Sequence, residues 1–292
     1  MLRKLFRKLF ASAYYFTIAI KHKSKNILEV LHFNAEYTIP ANVKEWCADP
    51  ILADDGDKTY LFYEQVEDDL GRIEVVEVNE DCSISKPTVI FRGTHYSYPY
   101  VFKSEDKWYM IPESSALNEV CLYSAEKFPY EWKKEKVLLN KGAVDTTVFQ
   151  KNGEWYLLTF VPSKTSENVN PEAYRLCGDK LMPLKWIDYD TLKVRGAGKP
   201  FEYIGEIFRP VQESTATRYG DSVAFVKIEI SDNEYRETVI SKLEATSIKA
   251  DKRHYDGLHT YCASDKFEAI DIRCRDYSFK WLIRKIINRI NK

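Results

Sequence analysis

The chain has 292 residues, 45% apolar, 30% charged and 14% aromatic, with a net charge of −1. That apolar content excludes a disordered tail, the absence of any ~20-residue uncharged apolar stretch excludes a bundle of membrane-spanning helices, and near-neutrality gives no general reason to expect nucleic acid. Twenty Tyr, 15 Phe and 6 Trp favour strands, so a β-rich soluble domain is the starting expectation.

The ends differ from the middle. Residues 1–25 carry Arg3, Lys4, Arg7, Lys8, Lys21, Lys23 and Lys25 and no acid, and residues 280–292 carry Lys280, Arg284, Lys285, Arg289 and Lys292 and no acid. With +7 and +5 at its two ends, the chain holds −13 between them. Leu2, Leu5, Phe6, Leu9 and Phe10 recur at helical spacing opposite the first basic cluster, and Phe279, Leu282, Ile283, Ile286, Ile287 and Ile290 do so near the C-terminus. Both segments read as short amphipathic helices, suited either to an anionic membrane surface or to packing on the body. The apolar run from Leu9 to Ile20 follows a basic start as in a signal peptide, yet Ala11-Ser12-Ala13 lies inside the run and Lys21-His22-Lys23 follows it. Six scattered cysteines (Cys47, Cys82, Cys121, Cys177, Cys262, Cys274) form no C-x-x-C pair and have no histidine at ligand spacing, which argues against a zinc site. Reduced thiols in a cytoplasmic protein, peripheral on the inner membrane face if the basic ends bind it, is the expectation.

Between the ends one hairpin pattern recurs. Ala48-Asp49-Pro50-Ile51-Leu52 leads through Asp55-Gly56 to Tyr60–Glu64, and Tyr98-Pro99-Tyr100-Val101-Phe102 through Glu105-Asp106 to Trp108–Glu113. Val144-Asp145-Thr146-Thr147-Val148-Phe149 leads through Asn152-Gly153 to Trp155–Leu158. A looser fourth copy starts at Phe208-Arg209-Pro210-Val211 and turns at Tyr219-Gly220-Asp221, and a fifth starts at Leu258-His259-Thr260-Tyr261 and turns at Ser264-Asp265. Further strands follow at 72–78, 88–91, 120–124 and 236–242, while 162–172 reads as a surface loop. Hairpins about 50 residues apart fit the blades of a propeller, with a β-sandwich as the alternative. The predicted fold is all-β: a five-bladed β-propeller over 37–276, with an N-terminal basic segment over 1–36 and a C-terminal helix over 277–292.

In such a fold the inner strands open at one mouth and the second strands return to it. This would gather Asp49, Glu64, Glu113 and Asp145, with Trp46, His95, Tyr98, Arg209, Gln212 and His259, around one pocket. Carboxylates accept hydroxyl hydrogen bonds and aromatic rings stack on sugar faces, so the pocket suits a sugar. Clustered carboxylates also push their protonation apart, as general acid–base chemistry requires. The plainer alternative is that Asp49 and Asp145 cap strand ends. No cofactor is required by this reading, His259 leaves a channel metal ion open, and the acidic body argues against nucleic acid.

Trp46-Cys47-Ala48-Asp49-Pro50 with Tyr60–Glu64 resembles the first blade of the five-bladed propellers of the glycoside hydrolase family 43 clan. His95–Pro99, Ile111-Pro112-Glu113-Ser114, Phe128-Pro129 with Trp132, Val144–Phe149, and Arg209–Glu213 with Tyr219-Gly220 resemble one branch of it: the N-terminal domain of plant glucosamine inositolphosphorylceramide transferase and bacterial relatives encoded with surface-polysaccharide genes. The resemblance covers roughly 46–272. It implies Asp49 as general base and Asp145 as the carboxylate that tunes the acid. The clan's acid is a Glu opening the fourth blade, where this chain has Arg209, leaving Glu113 or Glu213 for that role. An arginine there suits a phosphate. The resulting expectation is a glycosyltransferase of cell-surface polysaccharide synthesis using a phosphate-bearing sugar donor, with a glycoside hydrolase and a non-catalytic glycan-binding propeller as alternatives.

Overall fold

A computed structural model describes residues 13–163, 168–215, 218–251 and 254–276. The chain begins with β1 (Ala13–His22), β2 (Phe33–Asn34) and β3 (Tyr37–Thr38). A four-stranded meander follows: β4 (Glu45–Asp55), β5 (Lys58–Glu67), β6 (Leu70–Val78) and β7 (Thr88–Phe91). A second comprises β8 (Ser97–Ser104), β9 (Lys107–Glu113), β10 (Val120–Lys127) and β11 (Glu131–Leu139). Then come β12 (Val144–Lys151), β13 (Glu154–Pro162), β14 (Val169–Cys177) and β15 (Lys180–Ile187). A fourth unit consists of β16 (Arg195–Gly196), β17 (Phe201–Tyr203), β18 (Glu206–Thr215), β19 (Arg218–Ser231) and β20 (Glu234–Glu244). Parallel pairing of β15 with β20 joins these two units into one nine-stranded sheet. After β21 (Ile248–Lys249), which pairs β2, the strands β22 (Tyr261–Ala263) and β23 (Phe267–Asp276) form a last sheet in the order β22-β23-β1-β3.

The hairpins follow their turn residues. Asn152 and Gly153 both take positive φ (52° and 80°), the two-residue turn whose twist matches the strands it joins. The second strands are buried on both faces, β5 without a break from Thr59 to Val66, because each sheet is covered by a neighbour on either side. Core clusters therefore lie between sheets. Ile18, Leu61 and Phe267 join the last sheet to the first, Ile51, Phe62 and Met110 the first to the second, Phe160, Trp186 and Tyr235 the third unit to the fourth, and Phe225, Leu243 and Ile270 the fourth to the last. The inner strands touch in turn: β22 with β4, β4 with β8, β8 with β12, β12 with β16. The Tyr261 N–H donates to the Ala197 carbonyl (2.8 Å), closing the circuit.

Three sequence expectations change. The fourth inner strand is Arg195–Gly196, not Phe208–Val211, which lies in the second strand β18. A two-residue strand leaves no apolar run to recognise, whereas β18 has one. Residues 13–22 do not stand outside the sheets: β1 pairs β23 from Ala13↔Asp276 to His22↔Phe267, and Phe16 through Ile20 are buried. From Ala13 onward the apolar run that resembled a leader is a strand, with both faces covered over Phe16–Ile20. Finally, Val169 already begins β14, shortening the surface loop expected over 162–172. The amphipathic segments 2–10 and 279–290 lie outside the described residues. Among the described residues no helix is long and apolar enough to cross a membrane, and the only helical turns are Ser115–Leu117 and Ala245–Ser247. Five of the six cysteines are buried and Cys177 is exposed.

Candidate active site

Three inner strands open with the same backbone device. Asp49, Tyr98 and Asp145 have φ of 54°, 39° and 50°, and at each the ladder slips, between Ala48 and Ile51, Ser97 and Tyr100, and Val144 and Thr147. A left-handed non-glycine residue costs about 1–2 kcal/mol, so the bulge must be held by its surroundings. Carboxylates from the preceding sheet hold it. Asp49 N–H donates to Asp271 Oδ2 (3.1 Å), Tyr98 N–H to Asp49 Oδ2 (3.2 Å), and Asp145 N–H to Glu113 Oε2 (3.1 Å). The capping role holds for the Asp49 carboxylate, together with Asp271 and Glu113, whereas the Asp145 carboxylate goes to Arg195 instead.

Asp145 is gripped by Arg195, through Nε to Oδ2 (2.6 Å) and Nη2 to Oδ1 (3.0 Å). The guanidinium lies over the Tyr219 ring (5.6 Å). Gly196 permits this approach: a Cβ there would fall 2.9 Å from the Asp145 Cβ and carbonyl oxygen. Opposite, His259 Nδ1 pairs with Asp271 Oδ2 (2.5 Å) and lies 3.9 Å from Asp49 Oδ1, which also accepts a hydrogen bond from Thr260 Oγ1 (3.1 Å). The imidazole stacks on Phe16 (4.3 Å), and Phe16 meets Trp46 (5.9 Å). His95 Nδ1 accepts the Gly71 N–H (3.0 Å), which places its own ring proton on Nε2, 3.3 Å from Glu64 Oε1.

Five carboxylates (Asp49, Glu64, Glu113, Asp145, Asp271) thus share a basin with Arg195 and His259. Burial, tempered by His259 and reinforced by the charges of Asp271 and Asp145, pushes Asp49 up to about 6. Burial and then the Asp145 charge push Glu113 up to about 8, with Arg195 opposing. Glu64 is raised well above its ordinary value by burial, then by Asp49 and Glu113. Burial works against a charge on His259, but Asp271 raises it. Glu113 is thus pushed further up than Asp49, the kind of separation that an acid and a base sharing one site require.

The structure brings together Asp49, Glu64, His95, Glu113, Asp145 and His259, with Trp46 at the edge. Four expected residues do not offer a group to this basin. Tyr98 is buried beneath it, its hydroxyl accepting the Gly198 N–H (2.9 Å). Arg209, 1% exposed, closes both prongs of its fork on Glu237 and stacks against Phe160 and Trp186, so it cannot grip a phosphate. Glu213 is held by Lys242 (2.5 Å) and Ser222 (2.7 Å), which removes it as an acid. Gln212, aligned with Arg195, is buried and bonds Ser214 (3.0 Å). Sequence reasoning missed Arg195, 50 residues after Asp145, and Asp271, which follows the apolar run of the fifth copy's second strand as Glu64 and Glu113 follow theirs. Asp49, His259 and Asp271 place ligand-type atoms within 4.8 Å of one another, the set in the basin that could hold a metal ion.

Residues 34–269 match the family described as "Glucosamine inositolphosphorylceramide transferase 1, N-terminal". A protein of that transferase name from Oryza sativa subsp. indica is 32% identical over 66% of this chain and 28% of its own length; one from Arabidopsis thaliana is 28% identical over 78% and 31%. The chain thus spans about three tenths of the relatives it matches. Among solved structures, a thermostable family-43 glycoside hydrolase superposes with TM-score 0.59 at 13% identity, covering 83% of this chain and 93% of that one. The β-1,2-mannobiose phosphorylase from Listeria innocua gives 0.58 at 12% identity, covering 87% and 96%. At such identities the likeness is one of fold.

Proposed function

Because the chain belongs to the family of glucosamine inositolphosphorylceramide transferase 1 N-terminal regions, we propose that it is a carbohydrate-active enzyme of cell-surface glycan synthesis that transfers a sugar within the channel of a five-bladed propeller. The closed circuit of five inner strands supports the blade count, with the nine-stranded sheet contributing two blades. The match covers only 28–31% of the length of the relatives named as transferases, so the activity rests on the chemistry of the site. The carrying observation is the burial of Asp49 and Glu113 in one basin with Asp145, held by Arg195, and His259, a setting that pushes the two carboxyls up to about 6 and about 8. Asp49 takes the proton of an acceptor hydroxyl as its oxygen bonds the anomeric carbon. The old glycosidic bond breaks, and Glu113 protonates the departing oxygen. Trp46 and Tyr219, both packed against the buried Phe16, supply faces for the sugar ring.

The donor reading shifts with the arginines. Arg209 is consumed in the core and Arg195 already holds Asp145, which leaves neither guanidinium free for a phosphate. A donor whose leaving group is a neutral sugar or lipid alcohol fits a protonated Glu113, because such an oxygen needs a proton to depart. Hydrolysis is the second reading, since the same acid–base pair serves water. Buried thiols and two basic ends support placing the enzyme at the cytoplasmic face of a membrane. Incubation with aryl glycosides and oligosaccharides, with and without acceptor alcohols, tests the assignment: transfer products should form and should fall by about 10²–10⁴-fold in Asp49→Asn. Full turnover in that variant would remove the base; free sugar alone would select hydrolysis.

A further inference from the structure

We propose that His22, Glu36 and Cys82 form a binding site for a zinc-class divalent cation that ties the closing strand β1 to the first sheet. This site lies away from the basin: β1 runs from Phe16, at the aromatic wall, to His22 six residues on, about 20 Å at strand rise. Three separate segments supply it, namely the end of β1, the loop before β3, and the turn after β6.

The ligand atoms are already spaced for one ion. His22 Nδ1 stands 2.8 Å from Glu36 Oε2 and 3.4 Å from Cys82 Sγ, and all three atoms lie within 4.8 Å of one another. Tetrahedral zinc with bonds of about 2.0 Å to nitrogen and oxygen and 2.3 Å to sulfur sets ligand atoms about 3.3–3.5 Å apart. The Glu36 and imidazole positions therefore need to open by about half an ångström to admit it. Glu36 is aimed by its other oxygen, which accepts the His22 backbone N–H (2.9 Å). The His22 ring also bonds the Glu80 main-chain carbonyl, the kind of partner that orients metal-bound histidines. The Cys82 side chain is buried while His22 and Glu36 are about half exposed, so the sulfur is sheltered and a path from solvent leads to a fourth position for water. Thiolate, imidazole and carboxylate together select zinc-like ions over magnesium or calcium. Binding releases the thiol proton to solvent as the sulfur–metal bond forms. Glu36 and Cys82 lie 14 and 60 residues from His22, so spacing along the chain gave no sign of the site.

The test uses the full chain in a Cys177→Ser background, which removes the exposed thiol, after treatment with a chelator. One equivalent of Co2+ should give thiolate-to-cobalt absorption, and Zn2+ should displace it and raise the thermal midpoint. Cys82→Ser should abolish the absorption and weaken Zn2+ at least tenfold. His22→Gln, a half-exposed change that spares the core, should do the same with unchanged circular dichroism. Absence of thiolate absorption in the parent, or Zn2+ affinity that survives Cys82→Ser and is lost in Asp271→Asn, would overturn the proposal.

Discussion

Two of the fourth unit's arginines, Arg195 and Arg209, meet different fates. Arg195 and Arg209 each close a two-pronged bond on a carboxylate, Asp145 and Glu237. Arg195 opens the inner strand, with 23% of its side chain exposed, and its partner belongs to the preceding unit. Arg209 sits one strand further out, where neighbouring strands are covered on both faces, and only 2% of its side chain is exposed. Identical chemistry therefore shapes a ligand site in one place and fills an intersheet core in the other. Position in the ladder decides which.

Substitutions should separate the two. Arg209→Ala leaves Glu237 with a buried, uncompensated charge and should lower unfolding free energy by about 3–5 kcal/mol in urea titration, while Arg209→Met recovers much of that. The folded fraction of either variant should keep its kcat/KM. Arg195→Ala should do the reverse, cutting kcat/KM about 10²-fold by releasing Asp145 and the strand end it positions, with a smaller loss of stability. Gly196→Ala presses a methyl group on Asp145 and on Tyr98 Oη, 3.0 Å away, and should cost about 1–3 kcal/mol by the same denaturation assay.

The smallest effect is in the pH profile. Activity should rise as Asp49 ionises near 6 and fall as Glu113 loses its proton near 8. Arg195 opposes the rise of Glu113, so Arg195→Ala should move the alkaline limb upward by about a unit or less, and Arg209→Met should leave it in place. Stability follows the opposite logic from an ordinary ion pair. Both carboxyls bind protons more tightly when folded than when unfolded, so their contribution is full at pH values below about 4 and fades as pH climbs through 6 and then 8. Glu113→Gln should therefore flatten the decline in thermal midpoint above neutrality and erase the alkaline limb of activity.

Much of the basin was legible in the chain. Asp49 and Asp145 stand at matched places in two clean hairpins, and Glu64 and Glu113 each follow 15 residues after the start of their copies. Arg195 was hidden because its strand spans two residues and carries no apolar signal. Arg209 was misplaced because β18 imitates an inner strand, being apolar, Pro-bearing and followed by an aromatic-rich partner. Asp271 was passed over because the fifth hairpin is shorter than the others, which spoils the count.

Turn residues and aromatic runs along the chain suffice to lay out the clean hairpins, and their near-50-residue recurrence places the acidic starts Asp49 and Asp145. Those are local properties, carried by φ preferences and by which side chains must leave water. Which charged groups meet is settled by long-range packing. Pairing of β1 with β23, the choice of Arg195 over Arg209, and the burial that lifts Glu113 above Asp49 arise from contacts between residues 30 to 260 positions apart. No local propensity encodes such contacts, because they exist only once the sheets close on one another and exclude water from the basin.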